Sequence, residues 1–207
     1  MEAESQILNI MDMRLSPGKP KLQGLPAIYA ESEEEAMTLR IFLKDSLTGV
    51  VVELLYTIFS EYGAIARSVR IKNTGEMPVH LLTAMSLNLD LPDKDYVWMQ
   101  LSGAWARERH VKMRTLEQGI TAIDSMRGNS SHEQNPFMVL KKKKIQMNLW
   151  ERQSDLVSFY SGNFRIQAEV DTHDVTRITV GINPNGFDWK LESGDSFQTP
   201  EAVMLYS

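Results

Sequence analysis

The fold is decided by residues 39–59, LRIFLKDSLTGVVVELLYTIF. Two runs in this stretch, 39–44 and 50–59, are rich in β-branched and aromatic residues, a composition that favours strands. Between them, DSLTG at 45–49 has the composition of a turn. The last five residues of the second run also show the two-residue alternation of a strand. The stretch therefore predicts a β-hairpin.

The same pattern recurs on both sides of this hairpin. Residues 65–72 (IARSVRIK) alternate strictly, and residues 79–91 end in alternating leucines. Residues 164–170 and 175–182 flank the turn DTHD and predict a second hairpin, and two shorter strands surround a turn at 193–195. Turn signals every ~8–14 residues without a long helical period are typical of an antiparallel β sandwich.

The predicted fold class is all-β, with one domain over residues 1–207. The one helical alternative is ESEEEAMTLR at 31–40, because acidic runs of this kind form either solvated loops or short helical turns.

Composition narrows the range of functions. The chain has 22 basic and 27 acidic residues and a pI near 5.4, which argues against an extended nucleic-acid surface. It has no cysteine, which excludes disulfides and thiolate metal sites and fits the cytoplasm. No stretch approaches the ~18 apolar residues of a membrane span, and the acidic N-terminus does not suit a signal peptide. We expect a cytoplasmic protein without nucleic-acid or membrane partners.

The residues predict neither a metal site nor a cofactor. None of the four histidines pairs with another at the spacing of metal ligands; they are His80, His110, His132 and His173. The chain has no GxSxG nucleophile motif and no Gly-rich phosphate loop.

Five blocks spread over nearly the whole chain resemble one family, the glycoside hydrolase family 36 α-galactosidases. These blocks occupy residues 19–39, 101–119, 127–140, 160–171 and 180–207. The most specific motifs within them are GAWARER (103–109), SSHEQNPF (130–137) and INPNGFDWKLESGDSFQTPE (182–201).

The resemblance implies both a fold and an activity. In the family these blocks belong to an N-terminal antiparallel β supersandwich, similar to galactose mutarotase, that precedes a catalytic (β/α)₈ barrel. The chain is then incomplete at the N-terminal edge of this domain and lacks the barrel. The implied reaction is hydrolysis of terminal α-galactosyl residues, as in raffinose and melibiose, with retention of configuration.

Retention requires two carboxylates ~5–5.5 Å apart, and the family carries both as aspartates on its barrel. The family's Lys-Trp-Asp nucleophile motif is absent from this sequence. We therefore expect no catalytic residue in this chain, and no activity from the chain alone.

Trp105, in LSGAWARERH, is the strongest candidate for substrate binding. An indole can stack on the apolar face of a sugar and donate its N–H to a hydroxyl, and Arg107 could add a charge-assisted hydrogen bond. The resemblance implies that this tryptophan lies at the mouth of the active site. The alternative is an anchor buried against the barrel.

His132, in RGNSSHEQNPF, is the second substrate-binding candidate, on a loop that would face the active-site rim. The alternative is a structural loop whose Ser and Asn side chains cap backbone groups. Two other tryptophans are interpreted structurally: Trp189, with Phe187, as core packing, and Trp98 as core or interface.

The expected partners are α-galactosides, the missing barrel and further copies of the parent enzyme, because family members are often tetramers. Two other classes remain open. A free-standing carbohydrate-binding module would bind galactose by itself, whereas a gene remnant would express poorly.

Residues 141–157 break the strand pattern, whereas the family has a Gly-containing strand just before YSGNF. One choice of codons for 145–158, translated in another frame, restores a family-like strand. We therefore hypothesise that two compensating single-base insertions or deletions in the gene flank this stretch. The alternative is a divergent surface loop.

Overall fold

A computed structural model describes residues 8–22, 24–143 and 153–206. These residues form sixteen strands and two short 3₁₀ turns. The strands of the large sheet are β1 (Leu8–Pro17), β2 (Met37–Asp45), β3 (Val50–Phe59), β4 (Ala64–Asn73), β7 (Tyr96–Ala104), β8 (Arg107–Thr115), β10 (Gln134–Lys142), β11 (Gln153–Phe159), β15 (Ser196–Gln198) and β16 (Glu201–Tyr206). Their order is β1-β2-β3-β4-β16-β11-β10-β7-β8, and β15 also pairs with β4.

A smaller sheet of four strands packs against the large one. It contains β6 (Met85–Leu91), β9 (Gly119–Asp124), β12 (Phe164–Val170) and β13 (Thr176–Ile182), in the order β6-β13-β12-β9. The short strands β5 (Val79–Leu81) and β14 (Trp189–Leu191) form a separate pair. Since every pair named here is antiparallel, the all-β antiparallel supersandwich predicted from the sequence is confirmed.

The main core lies between the two sheets. Its fully buried side chains include Trp98, Met138 and Leu140 from the large sheet and Phe164 and Ile178 from the four-stranded sheet. We call the side of the large sheet that turns toward the four-stranded sheet its inner face, and the opposite side its outer face.

The hairpin predicted at 39–59 is confirmed as β2 and β3. Its turn is held by Asp45, whose carboxylate accepts hydrogen bonds from the Leu47 amide (2.9 Å) and the Thr48 hydroxyl (2.7 Å). Gly49 then adopts a φ of +74°, and a Cβ there would lie 2.8 Å from the backbone of Gly75. A side chain at Gly49 would therefore meet both strain and a clash.

Most other sequence predictions hold, with changes at the boundaries. The strands predicted at 65–72, 164–170 and 175–182 are β4, β12 and β13. Residues 79–91 form two strands rather than one, because β5 pairs with β14 whereas β6 pairs with β13.

The helical alternative at 31–40 was wrong beyond one 3₁₀ turn, Glu33–Glu35. From Met37 the chain is a strand, because β1 and β3 offer hydrogen-bonding partners on both sides. The other 3₁₀ turn, Ser60–Tyr62, joins β3 to β4.

The segment 141–157 is only partly described. Residues 144–152 lie outside the described residues, so the hypothesis of two compensating single-base insertions or deletions stays a prediction. The surface loop considered for this stretch does not extend over all of it, since β10 extends to Lys142 and β11 begins at Gln153. Strand β11 pairs with β10 on one side and β16 on the other. Pairing with the two neighbouring backbones therefore makes it a strand, although its sequence lacks the alternation of a strand.

Strand β16 joins the two halves of the large sheet, because it lies between β4 and β11. Its first residue, Glu201, forms an ion pair with Lys19 at 2.8 Å, and both side chains are only 3% exposed. The Glu201 carboxylate also accepts a hydrogen bond from the Ile28 amide at 2.8 Å. The pair thereby fastens the segment between β1 and β2 to the centre of the sheet.

Candidate functional site

Trp105 lies at the tip of the hairpin formed by β7 and β8, where Trp105 and Ala106 make a two-residue turn. Its side chain is 85% exposed, in contrast to the buried Trp98 on the same hairpin. Ala106 has a φ of +61° and Arg109 a φ of +56°. Non-glycine residues held in this region cost ~1–3 kcal/mol each and concentrate at functional sites.

The hairpin is irregular beneath its tip. The strand register shifts between Ser102 and Ala104, where the two strands are out of step. A Cβ on Gly103 would lie 2.1 Å from the carbonyl oxygen of Arg107. Glycine at 103 therefore lets the two backbones approach closely, which sets the orientation of the tip.

Charged residues surround the tip. Arg107 is exposed at the start of β8, and the Ala106 amide donates a hydrogen bond to the Glu108 carboxylate at 2.8 Å. The pKa of Glu108 lies below its usual value because the backbone N–H groups of Glu108 and Ala106 donate to its carboxylate, with a smaller attraction from His132 and His110. Glu108 therefore stays an anionic acceptor on β8, just beyond the tip.

The structure brings the loop that carries His132 to the same hairpin. The Gly103 amide donates to the carbonyl of Glu133 at 3.1 Å, and His132 itself is exposed. Trp105, Arg107 and His132, which were selected from separate motifs, thus occupy one end of the molecule. Their contact with a substrate stays a prediction.

A polar cavity of about 540 Å³ opens between this hairpin and the start of β10. Three basic side chains and one acidic side chain lie among the residues that line it, which are Ser102, Gly103, Ala104, Arg107, His110, Lys112, Glu133 and Gln134. Such a lining can bind hydroxyl groups and anions.

A series of hydrogen-bonded, buried side chains joins the cavity to the core and was not predicted from the sequence. The Trp98 indole N–H donates to the Gln100 side-chain carbonyl at 2.8 Å, and the Gln100 amide donates to the Ser102 hydroxyl at 2.7 Å. The Arg114 guanidinium also donates to Gln100, at 3.0 Å. The signal that could have revealed this series is Trp-x-Gln-x-Ser, which places three side chains on one face of a strand.

The loop preceding His132 is fixed by hydrogen bonds to its neighbours. The Gly128 amide donates to the Asn163 side chain at 2.7 Å, and the Ser130 amide donates to the carbonyl of Ser161 at 2.8 Å. The Ser131 hydroxyl accepts from the Glu133 amide at 3.2 Å. These contacts fit the structural role considered for this loop, and they leave His132 free to face solvent.

Of the predictions made for two other tryptophans, one is confirmed and one is wrong. Trp98 is confirmed as a core residue. Trp189 is not a core residue as predicted, because it is 50% exposed and covers only one side of Phe197, at 5.3 Å between ring centres. It lies on the separate pair of strands β5 and β14, outside the two sheets that enclose the main core.

Within residues 8–22, 24–143 and 153–206, no group of three or more His, Cys, Asp or Glu side chains could hold a metal ion. In the same part of the chain, no helix has the length and apolar character needed to cross a membrane.

The two packed sheets define the class of the chain as an all-β antiparallel supersandwich. The family model for the glycosyl hydrolase family 36 N-terminal domain matches residues 3–192, and the chain therefore belongs to this family.

Curated proteins and solved structures that resemble the chain agree with this family membership. The chain is 48% identical over 197 residues to alpha-galactosidase AgaA of Geobacillus stearothermophilus, a match that covers 94% of the chain and 26% of the relative. It is 39% identical over 194 residues to alpha-galactosidase Mel36A of Lactobacillus acidophilus, covering 94% and 26%. The crystal structure of AgaA superposes with a TM-score of 0.94 at 45% identity, covering 99% of this chain and 28% of that one. The chain thus spans about a quarter of the length of these relatives.

Proposed function

We propose that this chain is the non-catalytic N-terminal domain of an α-galactosidase that removes terminal α-galactosyl residues from oligosaccharides such as raffinose and melibiose, with retention. The observation that carries the proposal is the nearly fully exposed Trp105 on a strained hairpin tip, in a chain of this family. Crystal structures of variants of the related AgaA contain raffinose and stachyose. The two reacting carboxylates would come from a barrel domain, in the part of the relatives that lies outside the match.

In this proposal the hairpin forms part of the mouth of the active site. The indole of Trp105 covers the apolar face of a sugar ring. Arg107 donates hydrogen bonds to sugar hydroxyls, whereas the anionic Glu108 accepts them. His132 contributes a further polar contact from the neighbouring loop. Because Gly103 and the buried Gln100 fix the base of the hairpin, the indole is positioned before the substrate arrives.

The proposed setting follows from the same family membership. We place the parent enzyme in the cytoplasm and expect it to form a homo-oligomer in which this domain contributes contacts. The absence of cysteine from the 207 residues agrees with a reducing compartment.

The test is a chimera in which this chain replaces the matched part of AgaA. Burial of one face of an indole is worth ~1.5–3 kcal/mol, so Trp105→Ala should lower kcat/KM for raffinose about 10- to 100-fold. Trp105→Phe should restore much of the loss, and Trp189→Ala, at a half-exposed tryptophan off the hairpin, should have little effect. Equal activity of Trp105→Ala and the unmodified chimera would refute the sugar contact.

The exposure of Trp105 also suits a second candidate, a free-standing carbohydrate-binding module. Titration of the isolated chain with galactose, followed by tryptophan fluorescence, separates the two. The enzyme-domain proposal predicts no saturable change up to ~10 mM, because one stacked face supplies only a fraction of the ~4 kcal/mol of a millimolar complex. Saturation well below 1 mM would favour the module.

A further inference from the structure

Strand β8 concentrates positive charge in a chain that is acidic overall. Its sequence, RERHVKMRT, contains four arginine or lysine residues and one glutamate, whereas the whole chain has a net charge of −5. All residues of the strand are exposed, and none of them forms an ion pair within the described part of the chain. Like charges held close together repel one another, so the strand is suited to an anion that it does not itself contain.

Part of this charge faces the cavity beneath the hairpin. Antiparallel partners share a face of the sheet, so Lys112 lies on the inner face, as its partner Gln100 does. His110 lies two residues earlier on the same face, and Arg107 begins the strand next to the tip. Three basic side chains from one strand thereby converge on a cavity of about 540 Å³.

The carboxylate that lines this cavity already has a counter-ion. Glu133 forms an ion pair with Arg127, which lies outside the lining. Arg107 and Lys112 have no carboxylate partner among the described residues, so the lining keeps two unopposed positive charges. A phosphate group carries a charge of about −1.5 to −2 at pH 7. It therefore matches the cavity better than a singly charged carboxylate does.

Neutral hydrogen-bond donors complete the lining. The Ser102 hydroxyl accepts from the Gln100 amide at 2.7 Å, but its own donor bond to the Gln134 side-chain carbonyl is long, at 3.5 Å. Ser102 can therefore donate to a stronger acceptor, and the Gln134 amide group has no acceptor among the described residues. Because Arg114 also donates to Gln100, this side of the lining is fixed before a ligand arrives.

The size and position of the cavity indicate what carries the phosphate. Pockets for small molecules measure ~300–1,000 Å³, so this cavity holds more than an inorganic ion. Ala104 and Arg107, which line it, also flank the two-residue turn at the tip. A ligand held here by its phosphate thus extends toward the exposed indole of Trp105, which suits the apolar face of a sugar.

We propose that this cavity is a phosphate-binding site and that its ligand is a hexose phosphate whose ring reaches Trp105. Arg107 offers a planar pair of N–H donors to the phosphate oxygens, and Lys112 offers its ammonium group. Ser102 and Gln134 add neutral hydrogen bonds. The inference rests on the proposed function for the sugar contact, whereas the phosphate contact is independent of it.

The test is calorimetric titration of the 207-residue chain with inorganic phosphate, galactose 6-phosphate and galactose, in a phosphate-free buffer of low ionic strength. Galactose 6-phosphate should bind at least ~10-fold more tightly than inorganic phosphate, and galactose should show no saturation up to ~10 mM. Trp105→Ala should abolish the difference between the two phosphates and leave the binding of inorganic phosphate unchanged.

Variants of the cavity separate a built site from a general attraction of anions. Lys112→Met should weaken the binding of both phosphates ~10-fold or more, because it removes a charge-assisted hydrogen bond. Lys112→Arg should keep most of the affinity. Arg109→Met is the matched control, since it removes a positive charge from the same strand but not from the lining. Its effect should stay below about twofold, because the exposed charge is screened.

Three results with the chain would overturn the proposal: no saturable binding of either phosphate, equal losses for Lys112→Met and Arg109→Met, or equal affinities for galactose 6-phosphate and inorganic phosphate. Loss of phosphate binding in the AgaA chimera would also overturn it, because the cations would then pair with a carboxylate of the remaining enzyme. None of these measurements uses the hydrolysis of raffinose, so the failure of this inference and the failure of the proposed function are distinguishable.

Discussion

The buried ion pair between Lys19 and Glu201 should be one of the most sensitive points of the domain. Lys19→Met removes the cation but keeps most of the side-chain volume, so it leaves a carboxylate that is 3% exposed and retains the Ile28 amide as a donor. Breaking a buried pair by removing one partner costs ~3–5 kcal/mol. Because one donor remains, we expect the lower end, about 3 kcal/mol, or a fall in Tm of roughly 6–12 °C for a domain of this size.

The assay is urea unfolding followed by the fluorescence of buried Trp98, checked for a single transition by circular dichroism. Arg177→Met is the matched control, because Arg177 pairs with Asp90 at 2.7 Å but both side chains are more than half exposed. Such pairs contribute up to ~1 kcal/mol. The double variant Lys19→Met with Glu201→Gln should recover more than half of the loss, since no buried charge is then left unpaired and the Ile28 amide keeps an acceptor. Equal losses for Lys19→Met and Arg177→Met would refute the reasoning.

Two further predictions concern the polar core and acid stability. Gln100→Leu removes the acceptor of the buried Trp98 indole N–H and should cost ~1–3 kcal/mol in denaturant unfolding; a loss below ~0.5 kcal/mol would show that the bond is dispensable. The pKa of Asp45 lies below 3.8, mainly because the Thr48 hydroxyl and then the Leu47 amide donate to its carboxylate. A carboxyl group whose pKa is lower in the folded state stabilises the fold at pH values above the ordinary pKa of that group. This stabilisation is lost as the pH falls through the lowered pKa. Thermal unfolding between pH 2 and 5 should therefore depend less on pH in Asp45→Asn, and an unchanged profile would contradict this assignment.

The strands that could be predicted from the sequence are those with one buried and one exposed face, or with clear turns between apolar runs. Strand β12, for example, alternates buried and half-buried residues along FRIQA, which is the pattern that was used to find it. The β2–β3 turn was equally clear, because Asp45 and Gly49 each have a specific structural role there.

The strands without such a contrast were missed. Every residue of β8, RERHVKMRT, is exposed, so its side chains carry no periodic signal and only pairing with β7 makes it a strand. The motif around Trp105 could be recognised from its residues. The left-handed conformations of Ala106 and Arg109 depend on how β8 pairs with β7, which no local pattern of residues indicates. The hydrogen bonds beneath the tip join residues two apart, so the Trp-x-Gln-x-Ser spacing was a local sign of them that went unused.

The central position of β16 has a consequence for how the chain folds as it leaves the ribosome. Strands β1–β4 form one set of neighbours and β7, β8 and β10 another, and the large sheet becomes continuous only when residues 201–206 enter between β4 and β11. At ~5–20 residues per second, synthesis of the residues between the end of β4 and the start of β16 takes roughly 6–26 s. Throughout this interval β4 has an unoccupied edge at which another nascent chain could pair. Pairings so distant in sequence also form slowly, so the yield of native domain should depend on chaperones and on translation rate more than its final stability suggests.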